Sequence, residues 1–113
     1  MKINQYEIWV ADLNPRLGTE SGKVRPVVVI QTDLLNNIHP STIICPITTN
    51  LNSESEILRV HLAKGTGNLK EDCDILIDQI RAVDNKRFSK RLGKLPDNII
   101  SLIKNNVSAV LDL

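Results

Sequence analysis

The first half of this chain of 113 residues consists largely of short apolar segments. In some of them apolar and polar residues alternate, and in others the apolar residues are continuous. Residues 6–13 alternate and predict a first strand, which the turn chemistry of Asn14-Pro15 ends. Residues 27–32 are apolar on both faces and β-branched, which is typical of a buried central strand. Residues 42–49 predict a third strand, in which Pro46 lacks a backbone donor and therefore indicates an edge or a bulge.

The second half predicts two more strands and a terminal helix. Residues 56–62 alternate strictly, residues 74–83 predict one long strand, and residues 85–89 predict a short turn or helix. Pro96 is suited to a first helical position and introduces the terminal helix. The apolar side of this helix consists of Ile99, Ile100, Ile103, Val107, Val110 and Leu111. Several short strands with short helices and one closing helix predict a mainly β fold, a small and strongly bent barrel, rather than alternating βαβ units.

Length and composition limit the class of protein. With 113 residues, of which 42% are hydrophobic and 24% charged, the chain is expected to form one globular domain over residues 1–113. Its apolar runs are too short to span a bilayer and its first residues do not resemble a signal peptide, so we expect a cytoplasmic protein without a membrane partner. Cys45 and Cys73 lie far apart without a Cys-x-x-Cys motif, which indicates small buried hydrophobic residues rather than a zinc site or a disulfide.

The formal net charge of +1 is unevenly distributed. Residues 1–56 carry four basic and six acidic side chains, whereas residues 57–113 carry ten and seven. Most of the basic excess lies in residues 81–94, where Asp84 opposes Arg81, Lys86, Arg87, Lys90, Arg91 and Lys94. Such a basic cluster suits a polyanion. On charge alone, a solvated helix face beside an acidic partner protein is an equally good interpretation.

Arg25 has the most informative local context. It stands before Pro26, between the glycine-bearing loop 18–24 and the apolar residues 27–30. Because a proline keeps the preceding residue out of the α region, the Arg25 backbone is extended before any partner binds. The guanidinium is a planar, permanently charged fork that matches phosphate oxygens. The alternative is an arginine in a surface ion pair, for example with Glu20.

The common catalytic motifs are absent from the sequence. The loop at residues 18–23 is one residue short of a phosphate-binding loop, and the two histidines, His39 and His61, do not favour a shared acid–base site. What remains is a set of polar residues in loops and at strand ends, namely Thr19, Glu20, Lys23, Arg25, Thr48, Thr49, Asp78 and Gln79.

This polar set fits cleavage of RNA, which supplies its own nucleophile, the 2′-hydroxyl. Such an enzyme needs no metal and no cofactor, only a base, a cation and a hydrogen-bond donor. Arg25 is a candidate for the cation, Glu20 or Asp78 for the base, and Thr48 for the donor. Taken alone, Thr48 and Asp78 also fit ordinary strand positions.

Five motifs follow one another along nearly the whole chain. They are Glu7-Ile8-Trp9-Val10-Ala11-Asp12-Leu13-Asn14-Pro15, Gly18-Thr19-Glu20, Lys23-Val24-Arg25-Pro26-Val27-Val28-Val29-Ile30-Gln31, Pro46-Ile47-Thr48-Thr49 and Asp78-Gln79-Ile80-Arg81-Ala82-Val83-Asp84. Any one of them is weak evidence. Together they closely resemble the MazF/PemK family of toxins, the endoribonuclease half of type II toxin–antitoxin pairs.

The resemblance implies an SH3-like barrel with a C-terminal helix and a homodimer. It further implies sequence-specific, metal-independent cleavage of single-stranded RNA, mRNA or rRNA, which inhibits translation and growth. The implied partner is a cognate antitoxin whose disordered segment folds across the toxin, and the pair would bind DNA as a complex. The family's catalytic roles correspond to Arg25 and Thr48, with Glu20 nearby. RNA-binding roles are expected for Thr19, Lys23, Thr49, Asp78, Gln79, Arg81 and Arg87.

Two positions depart from some family members. Thr19 stands where those members have a histidine, and Leu76 stands where they have an arginine, so the identities of the general acid and base stay open. A toxin of the same fold that poisons DNA gyrase would carry a Trp-Gly-Ile-like C-terminus, whereas this chain ends in Val110-Leu111-Asp112-Leu113. A catalytically inactive nucleic-acid-binding barrel is a further alternative, and the presence of both Arg25 and Thr48 argues against it.

Overall fold

The computed structural model describes residues 1–15, 17–20, 22–52 and 55–113. Within these residues the chain forms seven strands and a C-terminal α-helix. They are β1 (Glu7–Asp12), β2 (Val24–Val29), β3 (Ser41–Thr48), β4 (Arg59–Leu62), β5 (Cys73–Leu76), β6 (Arg81–Asp84), β7 (Phe88–Lys94) and α1 (Asp97–Leu111). Short 3₁₀ turns cover Thr66–Asn68, Ile77–Gln79 and Asn85–Arg87. The predicted mainly β fold with short helices and a C-terminal helix is confirmed.

The strands form one antiparallel sheet in the order β4-β5-β3-β2-β1-β7, and β6 also pairs with β3. The path of paired strands ends on β4 and on β7, so the small barrel of the described residues is an open one. The register between β1 and β7 shifts at two points, which is the kind of irregularity that bends a sheet.

The sequence indicated that Pro46 lies either at a sheet edge or at a bulge. In the structure Pro46 lies inside the sheet, so the expectation of an edge was wrong. On one side, Pro46 pairs with Val27 of β2. On the other side, residues 41–44 pair with β6 and residues 47–48 pair with β5. Pro46 therefore stands where β3 changes partners, and its missing backbone donor is tolerated there because the ladder with β6 and the ladder with β5 both leave it out.

Two strand predictions were wrong in extent. Residues 74–83 do not form one strand, because the 3₁₀ turn Ile77–Gln79 separates β5 from β6. The Ile77 amide still donates to the carbonyl of Leu58 at 2.9 Å, which continues the β4–β5 register by one residue before the chain turns. The predicted strand at residues 56–62 begins only at Arg59, and residues 56–58 form a turn before it.

The core has two clusters, one on each face of the sheet. Ile8 and Val28 belong to the cluster that packs against α1 through Ile103, whereas Val27 and Val29 belong to the cluster on the opposite face. Residues 27–29, the second half of β2, are therefore buried on both faces, as predicted for a central strand. On α1, Ile103 is buried, and four of the other predicted apolar residues pack against the core, namely Ile99, Ile100, Val107 and Val110. Leu111 is about half exposed.

Both cysteines are buried and free, which confirms their interpretation as small hydrophobic residues. Burial raises the pKa of the Cys45 thiol to about 12, and the nearby charge of Asp78 adds to the effect. Cys45 is therefore a neutral thiol at physiological pH. Among the described residues, none of the helices reaches the length and apolarity that crossing a membrane requires.

Candidate active site

A polar cleft of about 410 Å³ opens where the loop between β1 and β2 meets the ends of β3 and β5. Six of the residues predicted for the site line it, namely Thr19, Glu20, Lys23, Arg25, Thr48 and Gln79. The sequence motifs are far apart along the chain, and antiparallel pairing of β1, β2 and β3 brings them together.

Arg25 and Thr48 lie on neighbouring strands at the base of the cleft. Val27 pairs with Pro46 in the β2–β3 ladder, and continuing that register by two residues places Arg25 across from Thr48. The half-buried Arg25 side chain donates from Nε to the Gly22 carbonyl at 3.0 Å and from Nη1 to the Ile47 carbonyl at 3.3 Å. The guanidinium is therefore oriented by backbone oxygens on both sides of the cleft floor.

Thr48 ends β3, and its hydroxyl oxygen accepts a hydrogen bond from the Asn50 amide at 3.1 Å. This bond forms a short turn after the strand. It uses the hydroxyl oxygen as an acceptor, so the hydroxyl hydrogen is still available as a donor. The half-buried side chain lines the cleft beside Arg25. The geometry therefore gives Thr48 a donor that is close to a fixed cation.

The loop between β1 and β2 is fastened to the rest of the protein at both its base and its tip. At the base, the Lys23 amide donates to the Asn14 side chain at 2.7 Å, and the Lys23 carbonyl accepts from Leu13 at 3.0 Å. At the tip, the Gln79 side-chain amide donates to the Thr19 carbonyl at 3.3 Å. The described residues of this loop line one wall of the cleft, so these contacts hold that wall against the rest of the protein.

Glu20 pairs with Arg81 rather than simply extending into solvent. Its carboxylate lies 3.7 Å from the Arg81 guanidinium, and its side chain is about half exposed. A surface pair of this kind contributes little to stability, but it holds the loop near β6. The ion pair that the sequence suggested for Glu20 is therefore made with Arg81.

Four residues predicted to bind RNA lie outside the lining of the cleft. Thr49 is exposed just after β3, and Asp78 is exposed on the turn Ile77–Gln79. Arg81 is engaged with Glu20. Arg87 donates to the Asp12 carbonyl at 2.9 Å and to the Asn14 carbonyl. It therefore holds the start of the loop between β1 and β2 against the turn Asn85–Arg87.

The basic cluster at residues 81–94 is not a helix face. It lies on β6, on the turn Asn85–Arg87 and on β7. Arg91 within it pairs with the buried carboxylate of Glu7. Burial alone would raise the pKa of Glu7, but hydrogen bonds, first of all from Arg91, outweigh it and lower that pKa. Arg91 of the basic cluster thus stabilises the fold through its ion pair with Glu7.

Sequence reasoning missed Arg59, which also lines the cleft. Its guanidinium donates to the Asn50 carbonyl at 2.6 Å and to the Asp74 carboxylate at 3.2 Å. No local motif marks Arg59, because only the pairing of β4 with β5 brings it to the cleft. Among the described lining residues, the charged side chains are Lys23, Arg25 and Arg59 against Glu20. The cleft is therefore suited to a negatively charged ligand.

The buried Asp74 carboxylate supports this side of the cleft. Burial alone would raise its pKa, but the backbone amide of Asn52, His61 and Arg59 all hydrogen-bond to it, and the net effect lowers the pKa. Asp74 is therefore charged at neutral pH. Across residues 1–15, 17–20, 22–52 and 55–113, no three His, Cys, Asp or Glu side chains gather as ligands for a metal ion.

Residues 4–111 match a family model described as PemK-like, MazF-like toxin of type II toxin-antitoxin system. The chain belongs to this family. It is 35% identical over 111 residues to proteins named Endoribonuclease MazF from Staphylococcus saprophyticus and Staphylococcus epidermidis. These alignments cover 98% of this chain and 92% of either relative.

Solved structures support the same fold for this MazF-like chain. MazF from Deinococcus radiodurans matches 100% of this chain and 99% of its own, with a TM-score of 0.87 and 19% identity. An endoribonuclease from a mycobacterial species, solved in complex with its cognate antitoxin, matches 98% of this chain and 96% of its own, with a TM-score of 0.80 and 13% identity. At these identities the likeness concerns the fold alone.

Proposed function

We propose that the cleft is the active site of an endoribonuclease that cleaves single-stranded RNA at specific sequences without a metal ion. The protein is the endoribonuclease toxin of a type II toxin–antitoxin pair. The observation that carries the assignment of the site is the fixed Arg25 guanidinium beside Thr48, in a cleft whose charged lining is mostly cationic. A preorganised guanidinium of this kind is suited to the phosphate of a scissile bond.

In this mechanism the RNA 2′-oxygen attacks the adjacent phosphorus, and the bond from phosphorus to the 5′-oxygen breaks. Arg25 stabilises the charge that develops on the phosphate oxygens, and Thr48 donates a hydrogen bond to one of them. Glu20 accepts the proton of the 2′-hydroxyl, since it lines the cleft whereas Asp78 does not. The leaving 5′-oxygen takes a proton from solvent water and Glu20 later returns its proton to solvent, so the products are a 2′,3′-cyclic phosphate and a 5′-hydroxyl.

The surrounding residues bind the rest of the substrate. Lys23 is exposed at the cleft wall and offers a second positive charge to the RNA backbone. Thr19 and Gln79 form the rim where the loop meets the turn Ile77–Gln79, and we assign them to base contacts. Arg81 and Arg87 position the loop between β1 and β2. Thr49 and Asp78 would contact only nucleotides that extend beyond the cleft.

The purified protein is expected to cleave a long single-stranded RNA in the presence of excess EDTA, because guanidinium groups rather than metal ions neutralise the phosphate. Gel analysis and mass spectrometry of the fragments check this, and a 2′,3′-cyclic phosphate end is the expected product. RNA left intact by a well-folded protein would contradict the nuclease function. Activity lost in EDTA and restored by Mg²⁺ would instead contradict the metal-free mechanism.

The same proposal covers the assembly of the toxin, which acts as a single domain of residues 1–113 in the cytoplasm. Its partners are a cognate antitoxin, whose acidic segment would complement the basic residues 81–94, and a second copy of the chain. Pairing would cover exposed apolar side chains such as Leu34, Leu35 and Ile38. Light scattering at micromolar concentration should report twice the chain mass of 12.6 kDa, and a monomeric mass would contradict the homodimer.

A further inference from the structure

Arg59 lies at the boundary between two cavities. It begins β4 and faces Leu76 across the β4–β5 ladder. Its side chain lines the polar cleft and also a neighbouring cavity of about 640 Å³, to which α1 contributes Leu102 and Asn106. About 20% of the side chain is exposed. The guanidinium is thus accessible from the cleft but does not move freely in solvent.

A buried carboxylate holds Arg59 in place. Oδ2 of Asp74 accepts from Arg59 at 3.2 Å and from the Asn52 amide at 3.0 Å, and Oδ1 lies 3.0 Å from Nδ1 of His61. The Asn50 carbonyl accepts a further bond from Arg59 at 2.6 Å. Because Asp74 is itself fixed by several contacts, the orientation of Arg59 is set before a substrate binds. Such preorganisation lowers the entropic cost of binding.

The contacts recorded for Arg59 between described residues all use one nitrogen, Nη1. A guanidinium carries five N–H donors in a fixed fork. Within the described part of the chain, Nε and Nη2 therefore keep donors for a ligand, while the Asp74 carboxylate contacts the guanidinium through Nη1. This combination suits a second phosphate rather than a purely structural ion pair.

The strand order places Arg59 and Arg25 on opposite sides of Thr48. Arg25 is on β2, Thr48 is on the adjacent β3, and Arg59 is on β4 beyond β5. We propose that Arg59 binds a backbone phosphate that flanks the scissile phosphate, so that the RNA crosses the cleft from β2 towards β4. The inference rests on the proposed endoribonuclease function and extends it to the path of the substrate.

Arg59→Gln is the informative variant, because its amide can still donate to Asp74 or Asn50 while the charge and the fork are lost. The probe is a short RNA that spans a mapped cleavage site and carries a 2′-deoxy nucleotide there, so that it binds without being cut. Dissociation constants come from fluorescence anisotropy at several salt concentrations. We expect roughly tenfold weaker binding, from the usual strength of hydrogen bonds to charged groups. The slope of log affinity against log salt should fall by about 0.7, the value for one phosphate of a single strand.

The controls separate this role from the alternatives. Lys104→Ala removes one positive charge from the exposed surface of α1, outside the cleft lining, and should leave the affinity and the salt slope unchanged. At saturating RNA the single-turnover rate of Arg59→Gln should fall far less than the affinity does, since Arg59 does not touch the reacting atoms. Arg59→Lys should keep the salt slope because it keeps the charge.

Several outcomes would overturn the assignment. A folded Arg59→Gln protein with wild-type affinity and salt slope would make Arg59 a structural support for Asp74. A loss of affinity that appears with only one base at a flanking position would make it a base contact, and an equal loss in Lys104→Ala would make it a general charge effect. Wild-type protein is assayed for cleavage in parallel. If wild type does not cut RNA, the proposed function itself fails, whereas a failure confined to Arg59 leaves that function intact.

Discussion

Arg25→Ala is expected to lower the single-turnover rate of RNA cleavage by about 100-fold or more, from the usual size of single-donor losses at a transition state. Arg25 is held by the Gly22 and Ile47 carbonyls, so its charge is in place before the phosphate becomes crowded. The rate should be measured at saturating RNA, where weaker binding does not contribute. Circular dichroism and thermal melting of the same preparation establish that the variant folds.

Companion variants test whether the shape of the group matters as well as its charge. Arg25→Lys should recover little activity, because an ammonium keeps the charge but loses the planar fork. In the same assay, Thr48→Ala should be slow and Thr48→Ser partly active, since serine keeps the hydroxyl. Lys104→Ala on the exposed surface of α1 is the matched control for the loss of one charge.

The opposite pattern would follow if Arg25 were an ordinary surface arginine. Its removal would then cost well under about 1 kcal/mol of stability, as for exposed ion pairs, and the cleavage rate would not change. Near-wild-type cleavage by a folded Arg25→Ala protein would remove Arg25 from the catalytic site. Loss of the fold would show that its two bonds to backbone carbonyls are structural.

The sequence predicted the parts of the fold in which burial alone decides the pattern. In β1, β2, β3 and α1 the apolar residues recur at the positions that face the core. The bounds of each of these elements were predicted to within a few residues. Residues 73–77 are all buried, and the apolar run 75–77 continues from β5 into the turn Ile77–Gln79, so the sequence does not reveal the break between β5 and β6. β7 was missed because its exposed residues are polar or charged and its only two buried residues, Phe88 and Gly93, do not form an apolar alternation.

The candidate site divides in a similar way. Arg25 could be found because Pro26 gives it a recognisable local context, whereas Thr48 was identified through the motif Pro46-Ile47-Thr48-Thr49 that carries the family resemblance. The ion pair of Glu20 with Arg81 and the place of Arg59 depend on side chains that meet across the sheet from distant parts of the chain. Periodicity carries no information about such contacts. They could be located only once the order β4-β5-β3-β2 and the pairing of β6 with β3 were known.

Replacing the 2′-hydroxyl at the scissile nucleotide by hydrogen is expected to abolish cleavage. In the proposed mechanism this oxygen is the only nucleophile. Attack by a side chain of the cleft would be a different reaction, with a covalent intermediate on the protein. The test uses a short RNA that spans a mapped cleavage site, with a single 2′-deoxy substitution on the 5′ side of the scissile phosphate. The product should disappear to below detection, while the affinity measured by anisotropy stays close to that of the unmodified RNA.

The matched control is the same RNA with the 2′-deoxy substitution one nucleotide further along, which keeps the nucleophile and should be cut at nearly the normal rate. Cutting of the first substrate at the rate of the unmodified RNA would mean that water or a side chain attacks the phosphorus. In that case the fragments would carry a linear phosphate rather than a 2′,3′-cyclic one. Glu20 would then have to activate a water molecule instead of the 2′-hydroxyl, and the arrangement of Arg25 and Thr48 would serve a direct hydrolysis.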